Sequence, residues 1–527
     1  MPVDSPRGPR RFAAAAVLAL ILAAFCAQSV PRRHALENHY RSNEGIYVIS
    51  AVMTHWDLEY GRPTIVDLLR CGDIYAPMQF LLAQPLLALG PTDLETLRRL
   101  NVAWLAVLLL VTHLAGARLT GRREGGWLAA LAVATFGSVY DFAWYYNQLL
   151  LTALFIMATL ALMFSSDLLR NRQRAALAGL AMAAAFLSHR GSPPLMLGPP
   201  VALYALLSYR RTREFKTLAN AALMFAIAIA VASPHLYDYY VRSGHVVGTS
   251  VQRGESYVLK ELAMGFAALD QSVEFFRLLG SWHLTPVIGI AWVAVAAWAI
   301  WAGRRDARWW PLLVAAMLPM IWLGFFKTKN RDFLFPVIPL WGLLFAAAVF
   351  SLPERVRNRA GCGVAAAFVL FGWIRPAWIE ARGPEYPSFD PMLGATCRET
   401  IDALAAVPER GATVLYVNGR DDRYQPLGRD LLGCVHLSRP DLRAAMADFG
   451  DALDDTAALE VWAIAPDAPG SDTARALADA QLRVPPEIMV HQPNEPLPGV
   501  ARPPRPPNRR VLPTPVDGDR TVMVFLP

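Results

Sequence analysis

Charge is scarce in this chain: Asp, Glu, Lys and Arg together make up 18% of its 527 residues. An ordinary soluble protein carries about 25%. Cysteine is scarce too, with five in all, and no Cys-x-x-Cys pair or Cys/His spacing suggests a metal site. No G-x-x-x-x-G-K-[ST] loop is present, and no G-x-G-x-x-G turn joins a strand to a helix. Chemistry driven by ATP or a nucleotide sugar therefore has no support. The formal charge of +7 does not indicate nucleic acid, because the clustered arginines sit in short loops between apolar runs. What the chain has in excess is hydrophobic sequence, 54% of its residues, with a mean hydropathy of +0.30.

Apolar runs of about 17 to 20 residues recur up to residue 377, after which the composition becomes that of a water-soluble domain. They lie near 97–117, 125–141, 148–165, 175–192, 194–208, 217–234, 285–303, 311–326, 333–350 and 361–377. A further run follows the basic start MPVDSPRGPRRF. It is long and closed by no small-x-small cleavage site, so a retained first helix is expected rather than a signal peptide. The expected fold class is a polytopic α-helical membrane protein with about eleven transmembrane helices over 1–377. Residues 378–527 would form a small extracytoplasmic α/β domain.

The charges agree with this topology. Arg7, Arg10 and Arg11 precede the first run. Arg118, Arg122 and Arg123, then Arg170, Arg172 and Arg174, then Arg210, Arg211, Arg213 and Lys216 occupy successive alternate loops. Arg304, Arg305 and Arg308, and Arg355, Arg357 and Arg359, complete the pattern. All fall on one side, the cytoplasmic side by the positive-inside rule. This predicts a cytoplasmic N-terminus in a bacterial-type inner membrane and a C-terminus outside. The opposite loops include two long ones, 31–96 and 235–284, and two short ones, DFAWYYN (141–147) and HRGSPP (189–194). One short outer loop breaks the charge rule: KTKNRD, with Lys327, Lys329 and Arg331. Cations on that side are expected to hold an anion at the outer surface, such as a lipid phosphate, beyond ordinary headgroup contact.

Carboxylates of the 31–96 loop and these cations would then share one face. That combination suits transfer of a sugar from a polyprenyl phosphate. Cations stabilise the departing phosphate, and a carboxylate takes the proton of the attacking hydroxyl.

Three stretches carry a resemblance. NEGIYVISAVMTHWD (43–57) looks like the DE-x-x-Y start of the first outer loop in the GT-C superfamily of lipid-linked-sugar glycosyltransferases. That superfamily includes protein mannosyltransferases and the aminoarabinose transferases that modify lipid A. DIYAPMQFLLAQPLLALGPTDLETLRRLN (73–101) resembles its D-x-H-P-P-L-Y-Y-L-L segment with the L-F-G-x-S-E-x-A-L-R-L-P-S stretch beyond it. NRDFLFPVIPLWGLL (330–344) is similar to its R-Y-x-L-P-x-x-P segment before a late helix. The resemblance implies Glu44 as catalytic base, Asp73 as a second acid that helps bind the acceptor or a cation, and Arg331 as phosphate ligand. The departures are Asn43 in place of Asp, Tyr75-Ala76-Pro77 in place of His-Pro-Pro, and Asp332-Phe333 where Arg-Tyr is usual. They bear on the substrate more than on the superfamily. The implied partners are a polyprenyl-phosphate-linked sugar and a lipid, glycan or protein acceptor.

Other residues beside this face have two readings. Lys327 and Lys329 add field around the phosphate; Arg190 and His189 either anchor headgroups or touch phosphate and sugar. Trp144, Tyr145 and Tyr146 read first as an interfacial aromatic belt and second as surfaces that stack on a sugar ring or line the prenyl groove, and Tyr75 joins Tyr145, Tyr146 and His189 as a substrate-binding candidate. His55, Asp57 and Glu59 suffice to suggest a divalent cation but are a common loop composition. No cofactor is expected. In the tail, ETIDALAAV (399–407) and SDTARALADAQL (471–482) read as helices; ATVLYVNG (412–419), LEVWAIAP (459–466) and TVMVFLP (521–527) read as strands. The Pro-rich interval 484–515 reads as extended. Cys397 and Cys434 either pair or stay as buried thiols. The alternative function is a transporter or flippase of lipid-linked saccharides. Such a protein should place ionisable residues near the bilayer midplane, where this chain has almost none.

Overall fold

The structure, a computed structural model, describes residues 9–28, 64–70, 76–89, 94–136, 146–189, 192–237, 308–324 and 335–366. It also describes five strands between 413 and 525 and single positions within 47–58, 139–143 and 297–301. The described residues are mostly helical. Its helices are α1 (Pro9–Gln28), α2 (Ile65–Arg70), α3 (Met78–Leu87), α4 (Leu94–Thr120), α5 (Arg123–Ala134) and α6 (Leu149–Phe164). They continue with α7 (Arg172–Phe186), α8 (Ser192–Thr212), α9 (Phe215–Tyr237), α10 (Trp309–Gly324) and α11 (Ile338–Phe350). Residues 354–366 are also helical. Among the described residues, two segments, Thr96–Thr120 and Phe215–Tyr237, are long and apolar enough to cross a membrane, at 25 and 23 residues. Leu149–Phe164, Trp309–Ile321 and Phe335–Phe350 are shorter apolar helices. The expected span 285–303 lies almost wholly outside the described residues.

Two helices fall inside the stretch that the sequence reading treated as the first outer loop. For α2 the signal is a capping box: the Thr64 N–H donates to Asp67 Oδ2 at 2.9 Å, and the Asp67 N–H donates to Thr64 Oγ1 at 3.2 Å. For α3 it is the apolar run MQFLLAQPLL, which Pro85 interrupts without ending. Helix α5 stops well short of the expected residue 141. The Thr135 hydroxyl donates to the Ala132 carbonyl at 2.7 Å, and its N–H is shared by the carbonyls of Leu131 and Ala132. Gly137 and Ser138 follow, which disfavours another turn.

The chain divides into two compact units. The first comprises 1–30, 64–79 and 99–381. In it α7 packs against α6 and α9, α8 against α10, and α5 against α11. Small residues permit this close approach. Ala175, Ala178 and Gly179 of α7 are buried, as are Asn220, Ala221 and Met224 of α9. Gly342 of α11 lies so near α5 that a Cβ there would come within 2.6 Å of Val133 Cγ2 and 2.9 Å of the Ala129 carbonyl. At one set of helix ends, charged loops touch each other. Arg122 pairs with Glu354 at 3.3 Å, Glu354 with Arg357 at 2.9 Å, and Arg308 donates to the Arg118 carbonyl at 2.9 Å. Arg170 pairs with Glu214 at 2.7 Å, and Lys216 with Glu214 at 2.9 Å.

The second unit comprises 31–63, 80–98 and 382–527. The Tyr47 and Phe80 rings lie 6.4 Å apart there, and Gln84 Nε2 donates to the Ala51 carbonyl at 3.0 Å. Its strands are β1 (Thr413–Gly419), β2 (Arg443–Gly450), β3 (Leu459–Ile464), β4 (Arg509–Pro513) and β5 (Thr521–Phe525). They form one mixed sheet in the order β2-β1-β3-β5-β4, with β1–β2 and β3–β5 parallel and the other pairs antiparallel. Three strands coincide with stretches read as strands. Two do not: β2 (RAAMADFG) has alanine-rich, helix-like composition, and β4 closes the Pro-rich interval. Residues 399–407 and 471–482, read as helices, and both Cys397 and Cys434 lie outside the described residues.

Candidate functional site

Within the first unit, polar side chains gather where α3, α4 and α6 begin and α7 ends. Gln79 takes part twice. Its carbonyl accepts from Tyr146 Oη at 3.4 Å, and its Nε2 donates to Asn101 Oδ1 at 3.4 Å. Asn101 Nδ2 donates in turn to the Phe142 carbonyl at 3.5 Å. The Met78 N–H donates to the Leu187 carbonyl at 2.9 Å, which fixes the start of α3 against the end of α7. The Phe142 ring meets that of Phe335 with centroids 4.4 Å apart and planes inclined at 60°. Four separate parts of the chain therefore converge: 76–79, which follows Asp73 and Tyr75 in sequence; 142–143 with 146–148; 187–189; and Phe335 of NRDFLFP.

The next ring of contacts ties α6 to α7. Thr152 Oγ1 donates to the Gln148 carbonyl at 2.8 Å and approaches the Ser188 carbonyl at 3.4 Å. Ser188 Oγ donates to the Ala184 carbonyl at 2.6 Å. Asn147 Oδ1 accepts from the Leu149 N–H at 2.7 Å and so caps the first turn of α6. Gln148 occupies the cap position itself, yet its side chain makes no capping hydrogen bond.

Of the candidate site residues singled out from sequence, Tyr146, His189 and His55 are described. Tyr146 is fully buried, and burial pushes its phenol up against the opposing hydrogen bond to Gln79, so the hydroxyl stays protonated and donates. His189 is half-buried two residues beyond Leu187, its N–H on the Ala185 carbonyl at 3.3 Å. Glu44, Asp73, Tyr75, Tyr145, Arg190, Lys327, Lys329 and Arg331 lie outside the described residues, as do Asp57 and Glu59. Among the described residues no group of three or more His, Cys, Asp or Glu side chains could hold a metal ion.

Sequence reasoning passed over Gln79, Asn101, Gln148 and Thr152. The signal was present: each is an uncharged polar residue inside or at the edge of an apolar run, where polar groups are costly and kept for a reason. Gln79 is 0% exposed and Gln148 4%, and the Oε1 atom of each is buried with no hydrogen-bond partner among the described residues. Leaving a buried acceptor unpaired costs about 1–3 kcal/mol.

Among solved structures the chain is similar to ArnT from Cupriavidus metallidurans bound to undecaprenyl phosphate. The two share 15% identity over 82% of this chain and 76% of that one, with a TM-score of 0.47. It is also similar to the Archaeoglobus fulgidus oligosaccharyltransferase in its apo form, at 10% identity over 84% of this chain and 65% of that one, with a TM-score of 0.48. No protein-family model matches the chain, and no curated protein matches it in sequence.

Proposed function

We propose that this chain is a multi-pass membrane glycosyltransferase. It would move a sugar from a polyprenyl-phosphate donor to an acceptor at the outer face of the cytoplasmic membrane. The observation that carries the reading is the convergence of 76–79, 142–143 with 146–148, 187–189 and Phe335, tied by the Gln79–Tyr146, Gln79–Asn101 and Met78–Leu187 hydrogen bonds and the Phe142–Phe335 contact. Each of these stretches lies in or next to a segment that sequence alone assigned to the outer side. The loops assigned to the cytoplasmic side meet one another instead, through Arg122–Glu354 and Arg308–Arg118. Such sorting of loops is what alternating helices with a single reactive face require.

In this reading Glu44 accepts the proton of the acceptor hydroxyl as its oxygen attacks the anomeric carbon. The bond from that carbon to the phosphate oxygen breaks, and the departing phosphate keeps the electron pair. Arg331 meets the growing charge with two parallel N–H groups, with Lys327, Lys329 and Arg190 adding positive field. Asp73 helps to bind the acceptor. A phosphate leaving group needs no strong acid to protonate it, so one carboxylate suffices as base.

The test is transfer of radiolabelled sugar from polyprenyl phosphate by purified protein. Glu44→Gln is expected to lower kcat about 10²- to 10⁴-fold, and Arg331→Ala about 10²- to 10³-fold. Unchanged transfer in both variants would remove these assignments. Translocation of the intact lipid without transfer from any donor would replace the enzyme with a transporter.

A further inference from the structure

We infer that Gln148, assisted by Gln79, recognises hydroxyl groups of the donor's sugar, an assignment that rests on the transferase reading above. Gln148 sits at the head of α6, directly after Tyr146 and Asn147, and is 4% exposed. Its side chain does not cap α6, and among the described residues its Oε1 has no partner. The neighbouring polar groups are already committed. Asn147 Oδ1 holds the Leu149 N–H, Ser188 Oγ holds the Ala184 carbonyl, and Thr152 Oγ1 serves the Gln148 and Ser188 carbonyls. Gln79 has spent its Nε2 on Asn101 and keeps a second unpartnered Oε1. Among the described residues, the two Oε1 atoms therefore each lack a hydrogen-bond donor.

The three parts of the donor differ in what they offer. An ionised phosphodiester has acceptors only, and a prenyl chain has neither donors nor acceptors. Sugar hydroxyls donate, so the sugar is the part that supplies what the two amides lack. Both oxygens are closed to bulk solvent. A ligand that failed to present a hydroxyl there would leave them unpaired, which makes such contacts discriminating rather than merely adhesive.

The test compares full-length wild type with Gln148→Leu and the shape-matched Gln148→Met in detergent. Two quantities are read: the thermal midpoint without ligand, and direct binding of a sugar-bearing polyprenyl phosphate against bare polyprenyl phosphate. Wild type is expected to bind the sugar-bearing lipid more tightly. Both variants are expected to keep or raise the midpoint, to lose about 5- to 10-fold in affinity for the sugar-bearing lipid, and to bind the bare lipid as before. A raised midpoint with unchanged binding of the sugar-bearing lipid would show an unpaired amide with no ligand role. A lowered midpoint with unchanged binding would show packing or a buried water. Equal losses for both lipids would move the contact from sugar to phosphate. Because binding needs no turnover, a wild type that discriminates the sugar but transfers none would sink the transferase reading alone.

Discussion

Glu214 illustrates what a single half-buried charge contributes here. Its carboxylate accepts a hydrogen bond from the Lys216 ammonium and pairs with Arg170, and these hold it below the ordinary value of 4.5 against the opposing effect of desolvation. A carboxyl lowered in the folded state stabilises above its unfolded value, and that contribution disappears as the pH falls through the folded value. Glu214→Gln should therefore melt below wild type at neutral pH, and the gap should close on acidification below 4.5. Melting curves of both proteins across that range check the sign. Single residues also show where sequence reading stops. Arginines and acids could be weighed from the sequence because a charge in an apolar chain demands a reason. Gln79 and Gln148 escaped because an amide beside an apolar run looks like an ordinary helix end. Only the folded chain reveals that their Oε1 atoms are buried and, among the described residues, unpaired.

Between elements, contact depends on how little side chain intervenes. The α5–α11 pair is the sharpest case, since Gly342 brings its backbone against Ala129 and Val133. Gly342→Ala should force the two helices apart and cost about 1–3 kcal/mol, as overpacking usually does. A lower thermal midpoint with the polar convergence still able to bind donor lipid is the expected result. An unchanged midpoint would mean that α11 can slide without penalty. Most helices were legible as apolar runs, because length and hydropathy suffice to find them. Helix α2 and the early stop of α5 were not read, because both depend on side chains bonding to nearby backbone. The Thr64–Asp67 box starts one and Thr135 closes the other. Such local bonds act over a few residues and leave the hydropathy profile unchanged. Strand β2 escaped for the opposite reason: its alanines favour helix, and pairing with β1 overrides that preference.

At the scale of the whole chain, the arginine pattern predicts sidedness, and chemical labelling reads it directly. In a protein freed of its native cysteines, Gly121→Cys, in the turn between α4 and α5, should resist a membrane-impermeant maleimide in intact spheroplasts. Ser243→Cys, in the 235–284 loop, should react. Labelling of both, or the reverse pattern, would overturn the topology and with it the outer-face site. Composition predicts a partition into an apolar part and a tail near 377. The order of strands in the tail was not legible, since pairing between distant segments leaves little trace in either one. That order has a kinetic consequence. β5 lies between β3 and β4, although it follows both in sequence. Until β5 docks, β4 has no neighbour, and the β3–β5 pairing must wait for a long loop to close. Deleting 521–527 should therefore strand β4 as well, and the slowest step in assembling the sheet should be the arrival of its fifth strand.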